Sequence, residues 1–148
     1  MLVQQGAELL PEQRDLVSEL GLTDALIQPP PLSRPALAAL YHRAELVLLT
    51  SEREGFGLPI VEAMACGTPV LTSNITAMPE IAGDAALLVD PRSVEQIARG
   101  TEQIVSLSFL RQDLRTKGLE RAAQFSWART SARARDVIAA PVRTCAEG

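Results

Sequence analysis

S-E-R-E-G-F-G-L-P-I-V-E-A-M-A-C-G-T-P-V, residues 51–70, decides both the fold class and the place of the site. It follows Leu46–Thr50, a continuous apolar run of the kind that forms a strand buried on both faces. Gly55 and Gly57 flank Phe56 and let backbone amides approach a ligand closely. Pro59 suits the first turn of a helix whose opening amides point outward, and Gly67 ends that helix. A helix N-terminus with glycines before it is a ready anion site, suited to a diphosphate. Glu54 precedes the turn, and Glu62 lies in the first turns of the helix. A carboxylate only accepts hydrogen bonds, so it pairs with the vicinal hydroxyls of a ribose or a sugar.

Each feature has an ordinary structural explanation. Glu62 near a helix start complements the dipole, worth about 0.3–1 kcal/mol. Glu54 is a solvated loop acid beside Glu52 and Arg53, Phe56 a core plug, and the glycines plain turn residues. Their meeting at the carboxyl end of one strand is what points to a pocket for a nucleotide sugar.

Outward from this stretch, short apolar bursts alternate with helical periodicity through the first 90 residues. Leu2-Val3 is a stub of strand. Pro11–Leu20 is a helix with Gly21 in the left-handed cap position. Ala25–Gln28 is a strand closed by Pro29, Pro30 and Pro31. Ser33 caps a helix carrying Ala36, Leu37, Leu40, Tyr41 and Ala44. Pro69–Thr72 and Ala86–Val89 are two further buried strands, with a helical turn at Pro79–Ala82 between them. After Pro91 the pattern is helical only: one helix through Val94–Val105, a second over Phe109–Gln124 and a third over Ala128–Ala139, then a frayed tail from Pro141. Strands alternating with helices at these distances mean parallel crossover units and a doubly wound α/β sheet. Ligands in such sheets bind outside the carboxyl ends of the strands.

Composition narrows the function classes. Of the 148 residues, 47% are apolar and 22% charged, a globular balance. Aromatics make up only 3%, which argues against base-stacking nucleic-acid platforms, and the net charge of −4 argues against a phosphate-backbone binder. Basic groups are nevertheless concentrated in 111–143, eight against three acids, a pattern that is usually a solvated helix face rather than a membrane or phosphate surface. Cys66 and Cys145, the two cysteines, make neither a disulfide framework nor a zinc site. No basic region precedes a long apolar core at the N-terminus, and no apolar run approaches the roughly 18 residues of a spanning helix. A soluble, cytoplasmic protein is expected.

E-G-F-G-L-P-I-V-E-A-M-A-C-G-T-P-V resembles the glutamate-x7-glutamate signature of GT-B-type nucleotide-sugar glycosyltransferases, closest to the retaining group called glycosyl transferases group one. L-A-A-L-Y-H-R-A-E-L-V-L-L-T-S before it, M-P-E-I-A-G-D-A-A-L-L-V-D-P after it and R-A-A-Q-F-S-W near the end are similar to the same family. The resemblance implies the Rossmann-like C-terminal, donor-binding half of a GT-B fold. It implies that Glu54 lies against the donor sugar as the catalytic-site acid and that Glu62 holds the ribose hydroxyls. Gly55, Phe56, Gly57 and Leu58 match the turn whose amides meet the donor's sugar and diphosphate. It implies no metal and no cofactor beyond the nucleotide-diphosphate sugar. The acceptor, a glycan, lipid or small molecule, belongs to an N-terminal domain expected upstream of residue 1, with the Arg and Lys that grip the diphosphate.

The resemblance also has departures. Thr50 replaces a common proline, and the prolines after Ala25–Gln28 replace a usual glycine. The family's strand order places its first strand between the counterparts of Leu2-Val3 and Leu46–Thr50. The expectation is therefore one truncated nucleotide-sugar-binding domain over 1–140, lacking that central strand, with low stability and self-association. Either Leu2-Val3 pairs directly with Leu46–Thr50, or a slot stays open between them. The competing reading is a non-catalytic nucleotide-sugar binding module or inactive fragment. Elsewhere, His42 reads as a surface residue, Cys66 as a small core residue and Trp127 as packing for the last helices. Ser73, Asn74 and Thr76 follow a strand end, where they serve either turns or a ligand, and Glu80, in the next short turn, serves either the helix start or a ligand.

Overall fold

The computed structural model describes residues 1–139, which form parallel sheets flanked by helices in a Rossmann-like α/β arrangement. The tail from Pro141, with Cys145, lies outside the described residues, as does the packing of the Trp127 side chain. The chain divides into two compact units, Met1–Leu37 and the residues from Ala38 on.

In the first unit, β1 (Leu2–Val3) runs parallel to β2 (Leu26–Ile27) in the register Leu2 to Leu26. Between them lies α1 (Pro11–Glu19), with Pro11 at its first position, where a missing N–H costs nothing. Gly21 takes the left-handed conformation just past it, at φ +65°. A 3-10 turn over Thr23–Ala25 shortens the expected second strand. The unit boundary falls inside α2 (Arg34–Arg43), which Ser33 caps through its hydroxyl.

In the second unit, β3 (Val47–Leu49), β4 (Val70–Ser73) and β5 (Leu87–Val89) form one parallel ladder in the order β3-β4-β5. Helices α3 (Leu58–Ala65) and α4 (Met78–Ala82) connect them, and α5 (Val94–Ser106), α6 (Ser108–Ala122) and α7 (Trp127–Ala139) follow. Side chains of β4 alternate between two cores, as a strand's period of two requires. Val70 joins Ile60, Ala63, Met64, Met78, Ile81 and Ala122 on the α3 face. Leu71 joins Val89, Ile104 and Leu114 on the other. On that second face Gly100 lets α5 lie flush against the sheet, because a Cβ there would stand 2.6 Å from Leu71 Cδ1.

One expectation about the strands needs correction. Only β4 is buried along its whole length. Leu48 of β3 is 40% exposed, and Leu87 and Leu88 of β5 are partly so. The reason is position: β3 and β5 are the edges of a three-stranded ladder and β4 is its centre. Of the two arrangements expected for Leu2-Val3, direct pairing with Leu46–Thr50 is not the one found: β1 pairs with β2, and β3 pairs with β4.

Candidate functional site

The 51–58 loop leaves the carboxyl end of β3 and is tied down on both sides. Ser73, at the end of β4 and fully buried, donates its hydroxyl to the Ser51 carbonyl at 2.7 Å. Thr72 does the same one residue earlier, donating to the Leu49 carbonyl at 2.7 Å. Beyond β5, the Arg92 guanidinium holds both oxygens of Glu52 at 3.2 and 3.3 Å. Ser73 therefore serves the loop from behind, while Asn74 and Thr76 stay exposed.

The loop's turn is made by Gly57, buried and left-handed at φ +77°, which caps α3. A side chain there would be strained, and its Cβ would lie 2.9 Å from Met78 Cε. Helix α3 begins at Leu58, one residue before the expected Pro59. Its start offers fewer amides than a generic helix end: Pro59 has no N–H, and the Ile60 N–H bonds the Gly57 carbonyl at 2.9 Å. The free donors lie earlier. Among the described residues, no amide of the loop from Ser51 to Leu58, the stretch that includes Gly55, Phe56, Gly57 and Leu58, has a hydrogen-bond partner. Gly55, Phe56 and Leu58 are exposed and Gly57 is buried, so these amides lie on an open loop with N–H groups available to a solvent or ligand acceptor.

Glu54 is half-buried just before this row of amides, and Glu62 is exposed on α3 just after it. Phe56 is 48% exposed, so it is no core plug; its ring meets Phe125 edge-on at 6.0 Å, and Arg121 lies 5.2 Å over Phe125. The loop's aromatic residue is thereby braced from the end of α6.

Glu62 has a partner that its own stretch of sequence does not show. The Tyr41 hydroxyl on α2 donates to Glu62 Oε2 at 3.4 Å. Burial, followed by the Glu62 charge and hydrogen bond, pushes the Tyr41 phenol up to about 12. Cys66, half-buried one turn after Glu62, has its thiol pushed up by burial and by the same carboxylate, which keeps it protonated. His42 is exposed, as expected. Glu80 contributes a backbone carbonyl to Arg121. A separate cleft of 320 Å³, lined by His42, Glu45, Ser108, Arg111 and Arg115 among others, contains none of the loop residues. Among the described residues no cluster of His, Cys, Asp and Glu could hold a metal ion, and no helix is long and apolar enough to cross a membrane.

Residues 6–121 match the family described as glycosyl transferases group 1. O-antigen chain mannosyltransferase B of Escherichia coli is 45% identical over 91 residues, 62% of this chain and 24% of that protein. The sucrose-phosphate synthase of Thermosynechococcus elongatus superimposes with a TM-score of 0.80 at 28% identity, over 95% of this chain and 39% of that one. Anabaena Alr3699/HepE, solved in complex with UDP-glucose, shares the fold with a TM-score of 0.79 at 22% identity, over 92% of this chain and 40% of that one. The chain thus spans between a quarter and two fifths of the length of these proteins.

Proposed function

The chain belongs to the glycosyl transferases group 1 family, and from that membership and the loop geometry we propose that it is the donor-binding half of a nucleotide-sugar glycosyltransferase. The reaction is transfer of a sugar from a nucleotide-diphosphate donor to an acceptor with retention at the anomeric carbon. The acceptor, a glycan, lipid or small molecule, is assigned to a separate domain of a longer enzyme. The observation that carries the reading is the row of unpaired amides from Gly55 to Leu58, set between Glu54 and Glu62 at the carboxyl end of β3.

In this reading the diphosphate accepts from those amides and faces the positive end of the α3 dipole. Donors fixed in advance stabilise the charge that grows on the leaving group as the glycosidic bond breaks, without reorganisation. That supply of fixed dipoles makes a divalent cation unnecessary. Glu54 orients the donor sugar, and Glu62 accepts from the ribose hydroxyls.

Calorimetric titration of the full chain with UDP-glucose and with GDP-mannose tests this. The first is the donor held by the Anabaena protein, and the second suits a mannosyltransferase relative. One of them binds, and Glu62→Gln weakens it by about 1–3 kcal/mol, the range for a lost hydrogen bond to a charged group. Unchanged affinity in a folded Glu62→Gln variant returns that residue to a helix-dipole role. Assay of sugar transfer, with the chain alone and with an acceptor domain added, separates an enzyme from a binding module.

A further inference from the structure

We propose that Tyr41 is a positioning residue for Glu62, its phenol holding the carboxylate in place for the ribose hydroxyls. The proposal rests on the reading of Glu62 given above.

Tyr41 is fixed at two points before its hydroxyl reaches anything. Thr68, buried ahead of β4, donates its hydroxyl to the Tyr41 carbonyl at 2.6 Å. The ring packs against the core cluster that contains Ile60, Ala63 and Met64 of α3. With backbone and ring held, the phenol stands against α3 and donates to Glu62 Oε2 at 3.4 Å. Packing alone would be served by phenylalanine; a tyrosine adds a hydroxyl that tends to find a partner as burial takes it from water. Among the described residues Glu62 is the partner that the hydroxyl has. Glu62, exposed, has rotamer freedom to lose when it binds a ligand, and ordering it beforehand lowers that cost. The distance is long for an O–H donor, as is common before a ligand tightens the site.

The neighbouring groups keep the direction of donation fixed. Tyr41 faces Glu62 and, one turn further along α3, Cys66. Burial and both of these groups push the phenol up to about 12, so it stays protonated and donating throughout the neutral range.

Tyr41 is the single tyrosine of the sequence, so tyrosinate absorbance reports it alone. Glu62→Ala is expected to move its titration midpoint down from about 12 towards the ordinary value of 10.0, stopping short because the burial remains. Donor affinity is then measured with UDP-glucose and GDP-mannose for the wild type, Tyr41→Phe, Glu62→Ala and the double variant. Tyr41→Phe weakens the donor that binds by about three- to tenfold, the net worth of one hydrogen bond. In the Glu62→Ala background the same change has no further effect, whereas a purely structural role would add its loss in both backgrounds. An unmoved tyrosinate midpoint in Glu62→Ala, or full affinity in Tyr41→Phe beside a weakened Glu62→Ala, overturns the proposal. If the midpoint moves but Glu62→Ala binds donor normally, the contact is real and the ribose reading of Glu62 is what fails.

Discussion

Arg115 on α6 donates from its guanidinium to the carbonyl of Gly67 at 3.1 Å, pinning the turn just past α3, whose own last carbonyls accept from the Cys66, Gly67 and Thr68 amides. Two more arginines of α6 serve helix ends. Arg111 donates to the Ile104 carbonyl at 2.8 Å and to that of Val105, at the end of α5. Arg121 donates to the Ile81 and Glu80 carbonyls at 3.0 and 2.5 Å, at the end of α4. The last carbonyls of a helix have no partner within it, and a cation there also meets the negative end of the dipole. The guanidinium groups of these three residues therefore have structural partners and are not a bare solvated face.

Loss of Arg121 is expected to be the costliest of the three. It gives two carbonyl bonds and the contact over Phe125. Arg121→Ala should lower stability by about 1–2 kcal/mol, and Arg115→Ala by about 1 kcal/mol. Urea melts followed by circular dichroism measure both, and effects within the ordinary surface range of about 0.5 kcal/mol would remove the structural role.

Gly57 and Gly55 should respond differently to alanine. Gly57 is left-handed, and its added Cβ would meet Met78 Cε at 2.9 Å; at Gly55 nothing lies within 4 Å. Gly57→Ala is expected to cost about 1–2 kcal/mol from backbone strain alone. Gly55→Ala should leave stability within about 0.5 kcal/mol. Equal melts for the two variants would mean that the turn adopts another conformation in solution.

Metal dependence is a direct test of the fixed-donor mechanism. Chelator should leave the affinity for UDP-glucose or GDP-mannose unaltered. A clear loss on chelation, restored by manganese, would show that the amides from Gly55 to Leu58 do not suffice for the diphosphate.

The Tyr41 phenol also links stability to alkaline pH. Its folded value, about 12, lies above the ordinary 10.0, so the native state keeps the proton while the unfolded chain releases it. Stability is then fully present below pH 10 and declines as pH rises through about 12. For a hydroxyl roughly half exposed, solvent screening reduces the linkage to about 1 kcal/mol. Tyr41→Phe should flatten the decline over that window, as seen in urea midpoints taken across it.

What was legible in the sequence was local. Ser33, Gly21, Gly67 and the prolines mark element ends, because cap and turn chemistry is decided by a few neighbouring residues. The glycine turn before α3 was legible for the same reason. Burial of the strands was less so: Leu46–Thr50 is as apolar as a central strand, and its edge position depends on which strands pair beside it. Tyr41 read as one more residue on an apolar helix face, since its partner Glu62 lies 21 positions away. The α6 arginines read as a solvated face, yet Arg115 and Arg121 end on carbonyls 48 and 40 positions earlier. Spacing within a helix carries no record of such contacts.

Hydrogen exchange should separate the two units. In Met1–Leu37, α1 buries no residue and the ladder consists of two strands of two residues each. The buried apolar residues, from Ile60 to Ala122, all belong to the second unit. Opening free energy follows buried apolar contact, because exposing little surface costs little. Amides of α1 and β2 are therefore expected to exchange through low-energy local opening. Those of β4, whose Val70, Leu71, Thr72 and Ser73 are all fully buried, should exchange only through global unfolding. Native-state exchange at increasing denaturant distinguishes the two: the first set shows little denaturant dependence, and the second follows the global slope. If α1 amides were as protected as those of β4, the first unit would have to bury apolar surface that its own fold does not provide.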